Sequence, residues 1–189
     1  RSGQLVASMQ EFNSTIPWRS LTASMVLLDS HDTARFRTVV KNDIDAHLAA
    51  ATMLFTYPGV PSIFAGDEIG LEGSWGEDSR RTINWEDRSS WDHLFMSDVK
   101  SLIEIRKSHD ALINGGLRWL DVQDDYIAFL RESKKESILV VISRKAVSAT
   151  IDLSPYGLSI TKTLFGLQNS GNKITIKSKT ATQGIWVVK

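Results

Sequence analysis

Apolar and polar positions follow two different periods along this chain, and the change comes at Gly115-Gly116. Ahead of that pair the spacing is mostly helical. Leu5, Val6, Met9 and Phe12 approximate one helical face over residues 2–14, and Ile16-Pro17-Trp18 stops it, because proline cannot continue a helix. Ile44, Leu48, Ala51 and Phe55 form a second face, with Asn42 or Asp43 standing where an N-cap belongs and Tyr57-Pro58-Gly59 closing it. Phe95, Val99, Leu102 and Ile103 form a third between Ser90 and His109, where Asp92 suits the positive end of the helix dipole. Two short apolar runs, Met25–Leu28 and Val60–Ala65, interrupt this pattern. They suit strands buried on both faces, as in a parallel sheet covered by helices, and the order strand–helix–strand makes a βαβ unit.

Past the glycine pair the pattern becomes a series of short β runs. Strands are predicted at 117–122, 126–131, 137–142, 149–153, 161–165, 173–177 and 184–188. Asp124-Asp125, Lys134-Lys135 and Asn169-Ser170-Gly171-Asn172 supply turns. Strands with no helix between them suggest an antiparallel sandwich.

Both buried runs end in polar residues. The first leads into Asp29-Ser30-His31-Asp32-Thr33-Ala34-Arg35 and the second into Gly66-Asp67-Glu68. Titratable residues at the exit of a parallel strand are where an α/β barrel places its chemistry. Acidic loop residues also cap helices and make turns, and spacing alone leaves both readings open. The stretch Leu71–Ser90 is a long loop with Trp75 and Trp85 embedded, and loops of that length in compact domains are usually functional. The two indoles are expected to anchor packing rather than stack on a ligand, while Trp119 and Trp186 fall in strands and belong to the core. His47, His93 and His109 lack metal-ligand spacing and are assigned structural or exposed places.

Three blocks together resemble one enzyme family. Leu27-Leu28-Asp29-Ser30-His31-Asp32-Thr33-Ala34-Arg35-Phe36 is similar to the segment after the seventh barrel strand of the α-amylase family. Within that family it leans toward the neopullulanase, cyclomaltodextrinase and maltogenic amylase branch. Tyr57–Leu71 resembles the eighth strand and its loop, and Arg80-Arg81-Thr82-Ile83-Asn84-Trp85 resembles a further segment of the same branch. The resemblance implies the end of the sixth and the last two β/α units of a (β/α)8 barrel in residues 1–115, followed by a β-sandwich domain in 116–189. It also implies a retaining glycosidase with three carboxylates acting on α-1,4 or α-1,6 glucosidic bonds of α-glucan oligosaccharides. Asp32 matches the carboxylate that stabilises the transition state, and His31 a donor to the same sugar. Arg80 matches a sugar contact away from the cleavage point. Arg35 is placed to pair with a carboxylate and hold the loop, although a helix-surface arginine fits the spacing equally. Asp67 and Glu68 belong to the supporting shell, and adjacent residues on extended backbone would point to opposite faces. The branch's acidic residue four positions before Arg80 is replaced by Gly76, and Asp78 is a candidate to compensate.

The nucleophilic Asp and the acid Glu of this family follow its fourth and fifth strands, and no block here matches either. The chain also starts at Arg1. It is therefore expected to be the C-terminal part of a longer enzyme, inactive alone, with the N-terminal part as its natural partner. No redox or phosphate cofactor is implied, and no dense oxygen cluster supports a calcium site. Two strands cannot close a barrel, so self-association through Met25–Leu28 or Val60–Ala65 is expected. Composition narrows the rest. Of 189 residues 42% are hydrophobic and 23% charged, and the net charge is zero, which gives no case for nucleic acid or an anionic membrane. No apolar run approaches the roughly 20 residues that span a bilayer. The lack of cysteine excludes disulfides and thiolate metal sites and, with no secretory leader, favours a cytoplasmic over a secreted protein. A non-catalytic carbohydrate-binding protein and a structural interaction module are the alternatives.

Overall fold

The computed structural model describes residues 2–189. Helices α1 (Ser2–Ser14) and α2 (Trp18–Ala23) precede a short strand β1 (Met25–Val26). Then come α3 (Phe36–Val39), α4 (Ile44–Thr56) and strand β2 (Val60–Pro61), followed by 3-10 turns at Asp67–Ile69 and Gly76–Arg80. Helices α5 (His93–Ser108) and α6 (Asp110–Asn114) complete this part. The caps follow from side-chain chemistry: Asp43 accepts from the Ala46 amide and Asp92 from the Phe95 amide, each serving an orphan N–H of the first turn.

β1 and β2 pair in parallel, Met25 opposite Val60, with α3 and α4 in the connection. The ladder is shorter than the apolar runs because Pro61 has no N–H to donate and the chain turns away at both strand ends. Burial on one face only replaces the expected burial on two. Val26 and Leu28 pack against the helical core, whereas Met25, Leu27 and Val60 are exposed. The two-residue period of a strand sends alternate side chains to opposite sides, and only one side is covered here. α1 departs from expectation similarly. Val6 is buried and Met9 half-buried, but Leu5 and Phe12 face solvent. The helix is fastened by polar groups instead: the Ser2 amide donates to Asp124 O and Asn13 donates to the Tyr57 hydroxyl.

All seven strands past the glycine pair form. They are β3 (Gly116–Val122), β4 (Tyr126–Glu132), β5 (Ser137–Ser143), β6 (Val147–Asp152), β7 (Ile160–Gly166), β8 (Lys173–Ser178) and β9 (Thr182–Val188). Five make an antiparallel sheet in the order β3-β4-β5-β9-β7, and β6 pairs with β8 as a separate ribbon. One face of the sheet, with Phe129, Ile138, Val140 and Ile185, packs on α4–α6 through Leu54, Phe95 and Leu112. The other, with Leu130, Leu139, Val141 and Trp186, packs on Ile151, Ile174 and Ile176 of the ribbon. β4 and β5 are therefore buried on both faces. Gly184 is required by this packing, since a Cβ there would lie 2.1 Å from the indole of Trp186.

A buried arginine ties the sheet to the helices. Arg131 on β4 donates to Thr56 O at the end of α4 and to Gly115 O, and Arg106 of α5 donates to the carbonyls of Phe55, Tyr57 and Gly59. Burial pushes Arg131 down to about 9, still charged at neutral pH. The segment leading into β2 is thus held from behind by two guanidinium groups.

Candidate active site

The loop after β1 splits its polar residues by depth. Asp29 is buried, and its Oδ2 accepts the amide of Phe36, the first residue of α3, at 2.5 Å. For Asp29 the helix-capping reading therefore holds. His31 and Asp32 stand two and three residues later in a turn where the Ser30 amide donates to the Thr33 hydroxyl, that hydroxyl donates to Ser30 O, and the Asp32 amide donates to the Ser30 hydroxyl. Their side chains face solvent, 64% and 68% exposed, with His31 Nε2 3.3 Å from Asp32 Oδ2.

A second layer of the site comes from the turn Gly76–Arg80. Arg80 donates to His31 O at 3.0 Å and to Asp32 Oδ1 at 3.2 Å, and its other arm reaches Glu77 at 3.3 Å. The buried Ser79 hydroxyl donates to His31 O at 3.2 Å. One carbonyl thus takes two donors from this turn, which pins the peptide just before Asp32. Within its own turn Arg80 pairs with Glu77, not with Asp78. Asp78 is turned toward Arg81 at 2.6 Å and toward the Ser74 amide and hydroxyl, and those bonds hold its carboxyl well below the usual range. A 3-10 turn rotates successive side chains by roughly a third of a revolution. Residues 77 and 80 consequently share a side that 78 does not.

Arg35 is no surface residue. It is 1% exposed, pairs with Asp67 at 2.8 Å and donates to Ala65 O and Ser79 O at 2.9 and 2.8 Å. Its guanidinium also lies 3.8 Å from the centre of the Phe64 ring. One side chain therefore joins three segments: the loop after β1, the exit of β2 and the turn that carries Arg80.

Asp67 and Glu68 do not lie on extended backbone. Gly66, at φ 104°, opens the 3-10 turn Asp67–Ile69, and Glu68 folds back to accept the Gly66 amide at 2.8 Å. A positive φ of this kind suits glycine, and the turn sends Asp67 inward to Arg35. The packing role expected for Trp75 and Trp85 also fails. They are 76% and 62% exposed, and Trp85 meets Trp91 edge-on with 5.4 Å between ring centres. The loop is held by hydrogen bonds among its charged residues, so the indoles need not be buried to order it.

Glu77, Ser79 and the inward position of Asp29 were not legible as site features. His47 is structural, as assigned. It lies between the rings of Phe36 and Phe95, its Nδ1 accepts from Arg37 at 3.1 Å, and burial followed by Arg37 pushes it down to about 4. His93 is exposed and His109 pairs with Glu136 at 2.7 Å.

Residues 4–126 match the family model described as the α-amylase catalytic domain, and residues 117–172 match the maltogenic amylase C-terminal domain. The chain belongs to the α-amylase family. This α-amylase-family chain is 35% identical over 127 residues to a cyclomaltodextrinase of a Bacillus species, covering 66% of this chain and 23% of that protein. It is equally 35% identical over 127 residues to neopullulanase 2 of Thermoactinomyces vulgaris, covering 66% of this chain and 22% of the relative. A debranching enzyme from Nostoc punctiforme superposes with a TM-score of 0.84 at 28% identity, over 97% of this chain and 39% of that one. The chain spans roughly a quarter of the length of the curated relatives it matches.

Proposed function

We propose that residues 1–115 are the end of the sixth and the whole of the seventh and eighth β/α units of an α-glucan-cleaving barrel and that residues 116–189 are its β domain. In this reading Asp32 supplies a fixed negative charge beside an anomeric carbon that becomes cationic in the transition state. His31 donates to a hydroxyl of the same sugar. Arg80, bonded to both Asp32 and the peptide before it, orients the carboxylate and yields one of its bonds when a sugar hydroxyl arrives. Arg35 and Asp67 hold the loop from beneath, Glu68 shapes the turn that aims Asp67, and Asp78 braces Arg81. The observation that carries the proposal is the placement of Asp32. It is an exposed carboxylate after a parallel strand, beside an imidazole, in a loop whose buried Arg35 reaches the neighbouring strand's exit.

The nucleophile and the acid are then contributed by the preceding barrel units, and the substrate is an α-1,4 or α-1,6 linked glucan oligosaccharide. The names of the relatives, among them an intracellular maltogenic amylase of Bacillus subtilis, support this substrate class and a cytoplasmic site of action. The test has two arms. The 189-residue chain is assayed on maltotriose, pullulan and cyclodextrin, and no turnover is expected. In the complete enzyme, Asp32→Asn is expected to lower kcat by about a hundredfold or more with the fold intact. Turnover by the chain alone, or an unchanged rate in Asp32→Asn, defeats the proposal.

The exposed indoles of Trp75 and Trp85 favour one further reading, carbohydrate binding without catalysis. Calorimetry with maltooligosaccharides separates the two. Binding by the isolated chain that is lost in the double Trp→Ala variant supports binding alone.

A further inference from the structure

Two carboxylic groups meet in the interior beneath the loop that carries His31 and Asp32. Asp29 and Asp67 are both buried. Asp29 Oδ2 takes the Phe36 amide, but Oδ1 is buried without any donor among the described residues. Asp67 takes Arg35 on Oδ1, and its carboxyl is in hydrogen-bonding contact with that of Asp29. Two ionised carboxylates have only lone pairs to offer each other, so such a contact requires a proton.

No other group nearby supplies it. Arg35 gives Nε to Ser79 O and Nη1 to Ala65 O and Asp67 Oδ1, none of its nitrogens bonds Asp29 Oδ1, and Glu68 is folded onto the Gly66 amide. His47 from α4 is turned to Arg37, and Arg37 in turn pairs with Asp92 at the start of α5. A neighbouring cavity of about 20 Å³, room for a single water, is lined by His47, Asp67 and Glu68 but not by Asp29. The charges agree. Arg37 is balanced by Asp92 and His47 is neutral, so Arg35 is the cation left to the pair and balances one negative charge, not two.

We propose that Asp29 and Asp67 share one proton at neutral pH, Asp67 donating to Asp29 Oδ1, and that this bond clips the loop bearing His31 and Asp32 to the turn after β2. The pair is a positioning device for Asp32. Its geometry stands apart from the proposed glucan chemistry, and only its consequence for catalysis rests on that reading. Burial and the Asp29 carboxyl, opposed by Arg35, raise Asp67 to about 8. The folded chain thus binds a proton that the unfolded chain, with an aspartate near 4, releases. Stability from this pair is full below about pH 4 and is lost as pH rises toward 8, by up to about tenfold per pH unit in the unfolding constant.

The experiment uses the chain as it stands. Carbon-13 carboxyl NMR and infrared spectroscopy of the wild-type protein are expected to show one protonated aspartic acid at pH 6, titrating near 8, absent from both Asp29→Asn and Asp67→Asn. Asp67→Asn keeps a donor facing Asp29 Oδ1, so it is expected to unfold at pH 6 within about twofold of wild type and to lose the weakening above pH 6.5. Asp67→Leu leaves the oxygen unpaired and is expected to cost roughly ten- to hundredfold. All aspartates ionised at pH 6, or Asp67→Asn as damaged as Asp67→Leu, overturns the proposal. The wild-type spectra decide it even where a variant does not fold. None of these readouts depends on activity, so an error about the glucan chemistry leaves a distinct result.

Discussion

Replacing Arg35 by methionine tests whether one guanidinium assembles the site. Methionine keeps the apolar stem and much of the volume, so the loss is chiefly polar. Three acceptors lose their donor: Ser79 O, Ala65 O and Asp67 Oδ1, all within 2.9 Å of Arg35 nitrogens. Removing one partner of a buried ion pair costs about 3–5 kcal/mol, and a buried carbonyl left unpaired costs about 1–3. These costs overlap, because the same group serves all three acceptors and Asp67 can relax by keeping its proton. A net loss of about 4 kcal/mol is expected, large against the 5–15 kcal/mol of a typical domain. Arg35→Lys should recover part of it, since an ammonium reaches the same region without the planar fork. Urea unfolding followed by circular dichroism and tryptophan fluorescence measures both variants. A value for Arg35→Met within about 1 kcal/mol of wild type would refute the reasoning. So would additivity in a cycle with Asp67→Asn, where groups in contact should couple by at least about 0.5 kcal/mol.

Other consequences can be checked in the same protein. His47 is held near 4 in the folded chain and returns to about 6.5 on unfolding. Its contribution is therefore complete above pH 6.5 and declines by about 3 kcal/mol as pH falls to 4. His47→Gln should flatten that limb, and an unaltered pH profile of urea midpoints counts against it. Gly184→Ala drives a methyl into the buried Trp186 ring and should cost about 1–3 kcal/mol, lowering Tm by several degrees. Trp75→Ala and Trp85→Ala should leave stability within about 0.5 kcal/mol, since neither indole is buried. The uncovered apolar residues Met25, Leu27 and Val60 should make the chain self-associate, and a monodisperse monomer in light scattering would contradict that.

Local chemistry was enough for α1, α4, α5 and the seven strands from Gly116 onward, but not for the short helices α2, α3 and α6. Apolar periodicity located α4 and α5, Asp43 and Asp92 marked their starts, and turn residues separated seven strands, because each of these depends on neighbours within a few positions. The motif around His31 and Asp32 was equally visible, since it is contiguous. What the tertiary structure alone decided involves groups far apart in sequence. Arg80 against Asp32 and Arg35 against Asp67 and Ser79 join segments 30 to 48 residues apart. Which of two adjacent acids turns inward, or whether a strand's second face is covered, depends on a glycine's φ angle and on what packs alongside. No pattern of hydrophobic and polar residues encodes the proton between Asp29 and Asp67. It is required only once folding has removed water from both carboxyls and left them a single cation.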